Sequence, residues 1–91
     1  MQNNPIYQKR FRRDVRSCET RGYDISLLRN IMKKLVAGEP LDPILNRPHL
    51  LTGTNPQIIE CHIKGDWLLE YRYHEGNLIF IRTGTHADLL E

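Results

Sequence analysis

Ile59-Glu60-Cys61-His62-Ile63-Lys64-Gly65-Asp66-Trp67-Leu68-Leu69-Glu70-Tyr71-Arg72-Tyr73 is the stretch from which the fold can be read. Ile59, Cys61 and Ile63 alternate with Glu60, His62 and Lys64. Successive strand residues point to opposite faces, so this pattern is a strand with one apolar and one polar side. Gly65-Asp66 supplies turn chemistry, because an aspartate side chain bonds nearby backbone N–H groups. Trp67 to Tyr73 is the next strand, with Trp67, Leu69, Tyr71 and Tyr73 sharing one side. After a second turn at Glu75-Gly76-Asn77, Leu78 to Thr83 reads as a third strand. Strands joined by such turns make an antiparallel meander, and its apolar face needs a cover.

The cover is expected from the N-terminal half. Tyr7, Phe11, Val15 and Cys18 recur at spacings of four, four and three, which is one stripe along a helix. Lys9, Arg10, Arg12, Arg13 and Arg16 fill its remaining surface, and Gly22 follows as a C-cap. A second helix begins after the N-cap residue Asp24, carries Leu28, Ile31, Met32, Leu35 and Val36 on one face, and stops at Gly38 and Pro40. Pro5 to Gln8 suggests a brief opening strand. Residues 39–56, with Pro40, Pro43, Pro48, Pro56 and Gly53, read as a long loop, a feature commonly functional or disordered in compact domains. Thr83-Gly84-Thr85 leaves the sheet, and His86 to Leu90 suffices for a last helical turn. The expected architecture is α+β: two N-terminal helices packed on one face of a small antiparallel sheet, with a short C-terminal helical turn, in one domain spanning residues 1–91.

Bulk composition bounds the function. Apolar residues at 40% and charged residues at 26% describe an ordinary globular chain. No apolar run approaches bilayer-crossing length, and MQNNPIYQKRFRR lacks the apolar core of a signal peptide, so a cytoplasmic protein is expected. Cys18 and Cys61 lack C-x-x-C spacing and are expected to be buried small hydrophobes. Residues 1–48 hold ten Lys/Arg against five Asp/Glu, whereas residues 49–91 hold three against six together with all four histidines. A basic half suits a polyanion or an acidic partner, although taken alone a solvated helix face is the favoured explanation.

The candidates for chemistry are His49 in the long loop, Glu60 and His62 on one strand face, Asp66 at the turn, Arg82 near the end of the last strand, and His86 just beyond it. Taken singly, each has a plain alternative: a solvated histidine, a turn-forming aspartate, a surface cation. A metal site finds little support, since there is no H-x-x-x-H, and Cys61 and His62, adjacent on a strand, face opposite ways. No metal or cofactor is expected. Imidazoles beside carboxylates suit proton transfer near neutral pH. Whether they meet is left open by the strand pattern.

The tail Arg82-Thr83-Gly84-Thr85-His86-Ala87-Asp88-Leu89-Leu90 resembles the ending of YafQ-type toxins of the RelE/ParE superfamily. Glu60 to Trp67 looks like that family's pattern of acid, x, His, three residues, Asp, Trp, and His49-Leu50-Leu51-Thr52-Gly53 resembles its preceding loop. The resemblance covers nearly the whole chain, with Glu60 where the family often has Asp and Leu90 where it often has Phe. It implies a microbial-RNase-like fold and the toxin of a type II toxin–antitoxin system: a ribosome-dependent endoribonuclease that cuts messenger RNA without a metal and leaves a 2′,3′-cyclic phosphate and a 5′-hydroxyl. It implies His86 as general acid, His49 or Asp66 as base and His62 orienting or balancing charge. Arg82, Glu60, Trp67 and Leu90 would support the RNA. Lys9, Arg10, Arg12, Arg13, Arg16, Lys33 and Lys34 would grip the ribosome, and a DinJ- or RelB-like antitoxin would silence the toxin in a heterocomplex. The competing expectations are a ParE-like gyrase poison, which needs none of these histidines, and a non-enzymatic nucleic-acid-binding module.

Overall fold

The meander forms as its period of two requires. In the computed structural model, which describes residues 2–90, β3 (Ile59–Lys64), β4 (Trp67–His74) and β5 (Asn77–Gly84) pair antiparallel through tight turns. Met1 and Glu91, the two ends of the expected 1–91 domain, lie outside the described residues. The β4–β5 turn places Glu75 at φ 48° and Gly76 at φ 79°, the paired positive angles of a tight hairpin whose twist matches its strands.

Two further strands complete the sheet, in the order β1-β5-β4-β3-β2. β1 (Asn4–Tyr7) lies along the outer edge of β5, and β2 (His49–Leu50) pairs with β3 inside the segment expected to be loop throughout. The α+β architecture is as expected, with one difference. β1 runs parallel to β5, Asn4 opposite Asn77 through Tyr7 opposite Phe80. Parallel pairing needs a long crossover, and almost the whole chain separates these two strands.

The helices α1 (Lys9–Thr20) and α2 (Ile25–Val36) cover one sheet face. Phe11 and Cys18 from α1, with Leu28, Ile31 and Leu35 from α2, bury against Cys61, Trp67, Leu69, Tyr71, Leu78 and Phe80. Tyr7, Phe11 and Phe80 stack with centroids 5.6–6.3 Å apart, joining strand, helix and sheet. Asp24 caps α2 by accepting from the Ser26 N–H. Both cysteines are free and fully buried, and burial pushes the Cys61 thiol up to about 12, so neither is a nucleophile at neutral pH.

A bulge in β5 decides which residues reach the other, open face. Tyr71 pairs with Phe80 and Glu70 with Arg82, so Ile81 is an extra residue. The core positions therefore run Leu78, Phe80, then Thr83, and Arg82 turns out of the core. β1 ends opposite Phe80, and Asp14 of α1 takes over the bare β5 edge. Its Oδ2 accepts from the Thr83 N–H at 3.1 Å and from Arg82 Nε at 2.7 Å. Both side chains of this ion pair are only 13–15% exposed. Asp14→Ala strands a largely buried guanidinium and a strand N–H, and is expected to cost about 3 kcal/mol of unfolding free energy by urea titration.

Candidate active site

The open face begins with a loop pinned to a strand. Asp42 accepts from the Ile44 and Leu45 N–H groups at 2.8 and 3.0 Å, turning the chain so that Asn46 is buried beside β3. The His62 N–H donates to the Asn46 carbonyl at 2.7 Å, and Asn46 Nδ2 donates to the His62 carbonyl at 2.8 Å. Arg47 then adopts φ 42°, a sparsely populated angle for a residue with a side chain, and the chain turns into β2. This puts His49 opposite Glu60.

At the other end, β5 stops at Gly84 and α3 (His86–Leu89) begins with a capping box between Thr85 and Asp88. Asp88 also receives Arg21 Nη2 at 2.9 Å, tying α3 to the end of α1. Asp66, at the β3–β4 turn, accepts from both the His86 backbone N–H and His86 Nδ1. His86 thus reaches the other histidines by hanging over a turn, although its strand does not neighbour β3.

The result is a line of imidazoles. The His49 and His62 rings lie 6.4 Å apart, and those of His62 and His86 6.1 Å apart. Each Nδ1 faces an oxygen: the Arg47 carbonyl at 2.9 Å for His49, the Gly65 carbonyl at 3.0 Å for His62, and Asp66 for His86. A carbonyl only accepts, so Nδ1 of His62 carries the proton and its Nε2 presents a lone pair. Arg47 Nη2, 3.5 Å from that same Nδ1, is left to offer its charge and its remaining N–H groups to an anion. His49 has an oxygen at both nitrogens, the Arg47 carbonyl at Nδ1 and Glu60 Oε1 3.4 Å from Nε2. Asp66 is held below the usual carboxylate range, chiefly by the His86 side chain and then by its backbone N–H. Among the described residues no three His, Cys, Asp or Glu side chains gather into a metal-ligand set.

Comparison with known proteins bears on this face. Residues 3–91 match the family described as the bacterial toxin of type II toxin–antitoxin system, YafQ. The mRNA interferase toxin YafQ of Escherichia coli K12 is 30% identical over 98% of this chain and 97% of its own length. The chain belongs to the YafQ toxin family. The toxin in the E. coli DinJ–YafQ toxin–antitoxin complex matches with a TM-score of 0.91 at 30% identity over the whole of both chains. A copper-bound mutant toxin from Helicobacter pylori matches with a TM-score of 0.88 at 34% identity, covering 96% of this chain and 98% of that one.

Within this YafQ-family fold, His49, His62, Asp66 and His86 come together, and the supporting residues need correction. Arg82 is not free for a phosphate, because Asp14 holds its guanidinium. Trp67 is 6% exposed and donates from Nε1 to Thr83 Oγ1 at 2.9 Å, so it belongs to the core rather than to an RNA-stacking surface. Glu60 lies beneath His49 with its side chain 11% exposed. Leu90 is 87% exposed and free to make apolar contact. The basic residues Lys9, Arg10, Arg12, Arg13, Arg16, Lys33 and Lys34 are all exposed on the helices. Asn46 and Arg47 were missed in the sequence, where a loop asparagine and arginine carry no periodicity to mark them. Among the described residues no helix is long and apolar enough to cross a membrane.

Glu70 completes a charged row in register across four strands: His49 on β2, Glu60 on β3, Glu70 on β4 and Arg82 on β5. Burial raises its carboxyl, the Glu60 and Asp14 carboxylates add to that, and the Arg82 and Arg10 cations only partly oppose it. The folded state therefore keeps this proton to higher pH than the unfolded chain, so stability falls as pH rises through the folded value. Glu70→Gln is expected to raise the melting temperature by a few degrees at neutral pH, and the gain should vanish in acid below the ordinary glutamate range. Gly84 sits at φ 156°, and a Cβ there meets Asp88 Oδ2 at 2.8 Å and Asp88 Cβ at 2.9 Å. Gly84→Ala is expected to push α3 away and detach His86 from Asp66, seen as a shift of the His86 ring resonances with the core resonances unmoved.

Proposed function

We propose that this chain is the toxin of a type II toxin–antitoxin pair, and that it cleaves messenger RNA on the ribosome by metal-free acid–base catalysis. The observation that carries this reading is the line of three imidazoles, each with Nδ1 set by an oxygen and those of His62 and His86 with Nε2 left for substrate. The E. coli relative bears the name mRNA interferase, which supports the same substrate.

RNA cleavage without a metal needs a base at the 2′-hydroxyl, an acid at the departing 5′-oxygen, and positive charge near the phosphorane. His86 serves as the acid: the Asp66 carboxylate holds Nδ1 and orients the ring, so that Nε2 donates to the 5′-oxygen. The base falls to His62 rather than to His49 or Asp66. Asp66 is occupied by two His86 groups, and both nitrogens of His49 face oxygens, whereas the Nε2 lone pair of His62 is open. The 6.1 Å between the two rings leaves room for one phosphodiester between donor and acceptor. Arg47 supplies positive charge, the part expected of Arg82, and Glu60 holds His49 beside it. The product ends are then a 2′,3′-cyclic phosphate and a 5′-hydroxyl.

The exposed cations of α1 and α2 would hold ribosomal RNA phosphates, so that the ribosome orients the message for a small site. Between these helices an apolar groove lined by Phe11, Val15, Leu28 and Met32 is edged by Arg12, Arg16 and Arg29. This surface suits an acidic amphipathic segment of an antitoxin partner, and the E. coli relative is found in a toxin–antitoxin complex with DinJ.

His86→Gln is expected to lower cleavage of a translated message by about 10²–10⁴-fold with the fold intact. Primer extension after induction measures this, and undiminished cutting refutes the acid assignment. Cleavage should survive EDTA, leave 5′-hydroxyl ends and weaken steeply with salt; 5′-phosphate ends or loss in EDTA would overturn the chemistry.

A further inference from the structure

The open face continues past the histidines along β3. His86 hangs over the β3–β4 turn, His62 and Glu60 follow on the strand, and Ile58 lies just before it. Ile59 packs on the core, so Ile58 faces the open side with them. There a cavity of about 370 Å³ opens, a size that holds a small ligand. Pro56, Ile58 and Ile81 give it apolar walls, and Arg72, Gln8 and Asn55 give it donors. From this cavity we infer that the chain grips the message a second time, at a phosphate a few nucleotides upstream of the cut. The inference rests on the nuclease proposal above and adds a second contact and the direction of the bound strand.

Three features favour this occupant. The first is rigidity. The Leu51 N–H donates to the Ile58 carbonyl at 2.8 Å, the Ile58 N–H to Thr54 Oγ1 at 2.9 Å, and that hydroxyl to the Leu51 carbonyl at 3.1 Å. On the other side the Gln8 N–H donates to the Phe80 carbonyl at 3.2 Å. The second is an unspent cation. Arg82 in the next row is held by Asp14, whereas Arg72 has no carboxylate within ion-pair distance among the described residues. The third is the order of charge. Glu60 and Glu70, paired across β3 and β4, lie between the histidines and the cavity. Carboxyl groups repel phosphate but accept from ribose hydroxyls and base amines. A strand therefore crosses them on its sugars and bases and brings a phosphate to the cation beyond.

The catalytic assignments fix the direction. Attack by the 2′-oxygen expels the 5′-oxygen on the far side of phosphorus, so the base holds the upstream nucleotide and the acid the downstream one. His62 lies between His86 and the cavity, so the upstream strand runs towards Arg72. Leu68 pairs with His62, and Arg72 stands four residues further along β4, about 13 Å at the rise of a strand. Stacked bases advance about 3.4 Å per nucleotide, so about four nucleotides at most cover the span, and fewer in an extended chain. A contact to phosphate carries no sequence information, so any base can occupy the cavity.

Arg72→Gln is expected to raise KM for a message-programmed ribosome about 10-fold with kcat unmoved. The slope of log KM against log salt should fall by about one. Arg72→Lys should recover most of the loss, and both variants should melt with wild type. The decisive probe is a message in which a neutral methylphosphonate replaces one phosphate at a time. Wild type should lose affinity at one upstream position besides the cut and at no downstream one, and Arg72→Gln should be indifferent at that position.

A hexamer of deoxyuridine lacks the attacking 2′-hydroxyl and gives a readout without ribosomes or catalysis. The Gln8 and Asn55 side-chain amide resonances should shift on its addition, and Arg72→Gln should weaken the response about 10-fold. No cleavage by wild type would sink the nuclease proposal, and the hexamer titration would still decide the cavity. An unchanged KM in Arg72→Gln, a methylphosphonate effect only downstream, or amides unmoved by the hexamer would overturn the second grip. So would weaker antitoxin binding by Arg72→Gln with cleavage unaltered, which would give the cavity to the antitoxin.

Discussion

A three-stranded meander has two faces, and this chain has helices enough to cover one. Burial of Cys61, Leu69, Tyr71, Leu78 and Phe80 beneath α1 and α2 is the constraint on which the remainder depends. Apolar burial is the dominant favourable term in folding, so it fixes which side of each strand faces in. Period two then fixes the other side without further choice. Glu60, His62, Glu70 and Arg82 share the uncovered face because their neighbours are needed inside. The reactive groups are a by-product of that alternation, gathered where no helix lies over them.

Being on one face does not bring side chains into register, and three polar anchors do that work. Asn46 clamps the long loop to both backbone groups of His62 and so delivers Arg47 and His49. Asp66 gathers the backbone and ring of His86 at the β3–β4 turn. Asp14 takes the β5 edge where β1 ends, which holds the strand leading into the C-terminal turn. Each anchor is a short side chain accepting or exchanging two bonds, a geometry that leaves little freedom. Two imidazoles about 6 Å apart can serve one phosphodiester only if neither swings away.

The same economy shapes the electrostatics. Asp66 is stabilised as an anion by the group it orients, whereas Glu70, beside Glu60, is pushed towards its neutral form. Two exposed or half-buried carboxyls thus respond to opposite influences, and only the first has a hydrogen-bonding partner to itself. Arg82 opposes that push only in part, because Asp14 engages its guanidinium.

Much of this was legible in the amino-acid order. The helical stripes, the meander and its turns follow from periodicity, because each is a local consequence of which faces must be buried. The tail from Arg82 to Leu90 was specific enough to resemble one toxin family before any coordinates. Tertiary structure alone decided the parallel seat of β1, the bulge at Ile81 that turns Arg82 towards Asp14, and the loop that carries Arg47 and His49 to His62. These depend on contacts between residues far apart in the chain, and periodicity reports only near neighbours. Sequence therefore settled which residues share a face, and packing settled which of them meet.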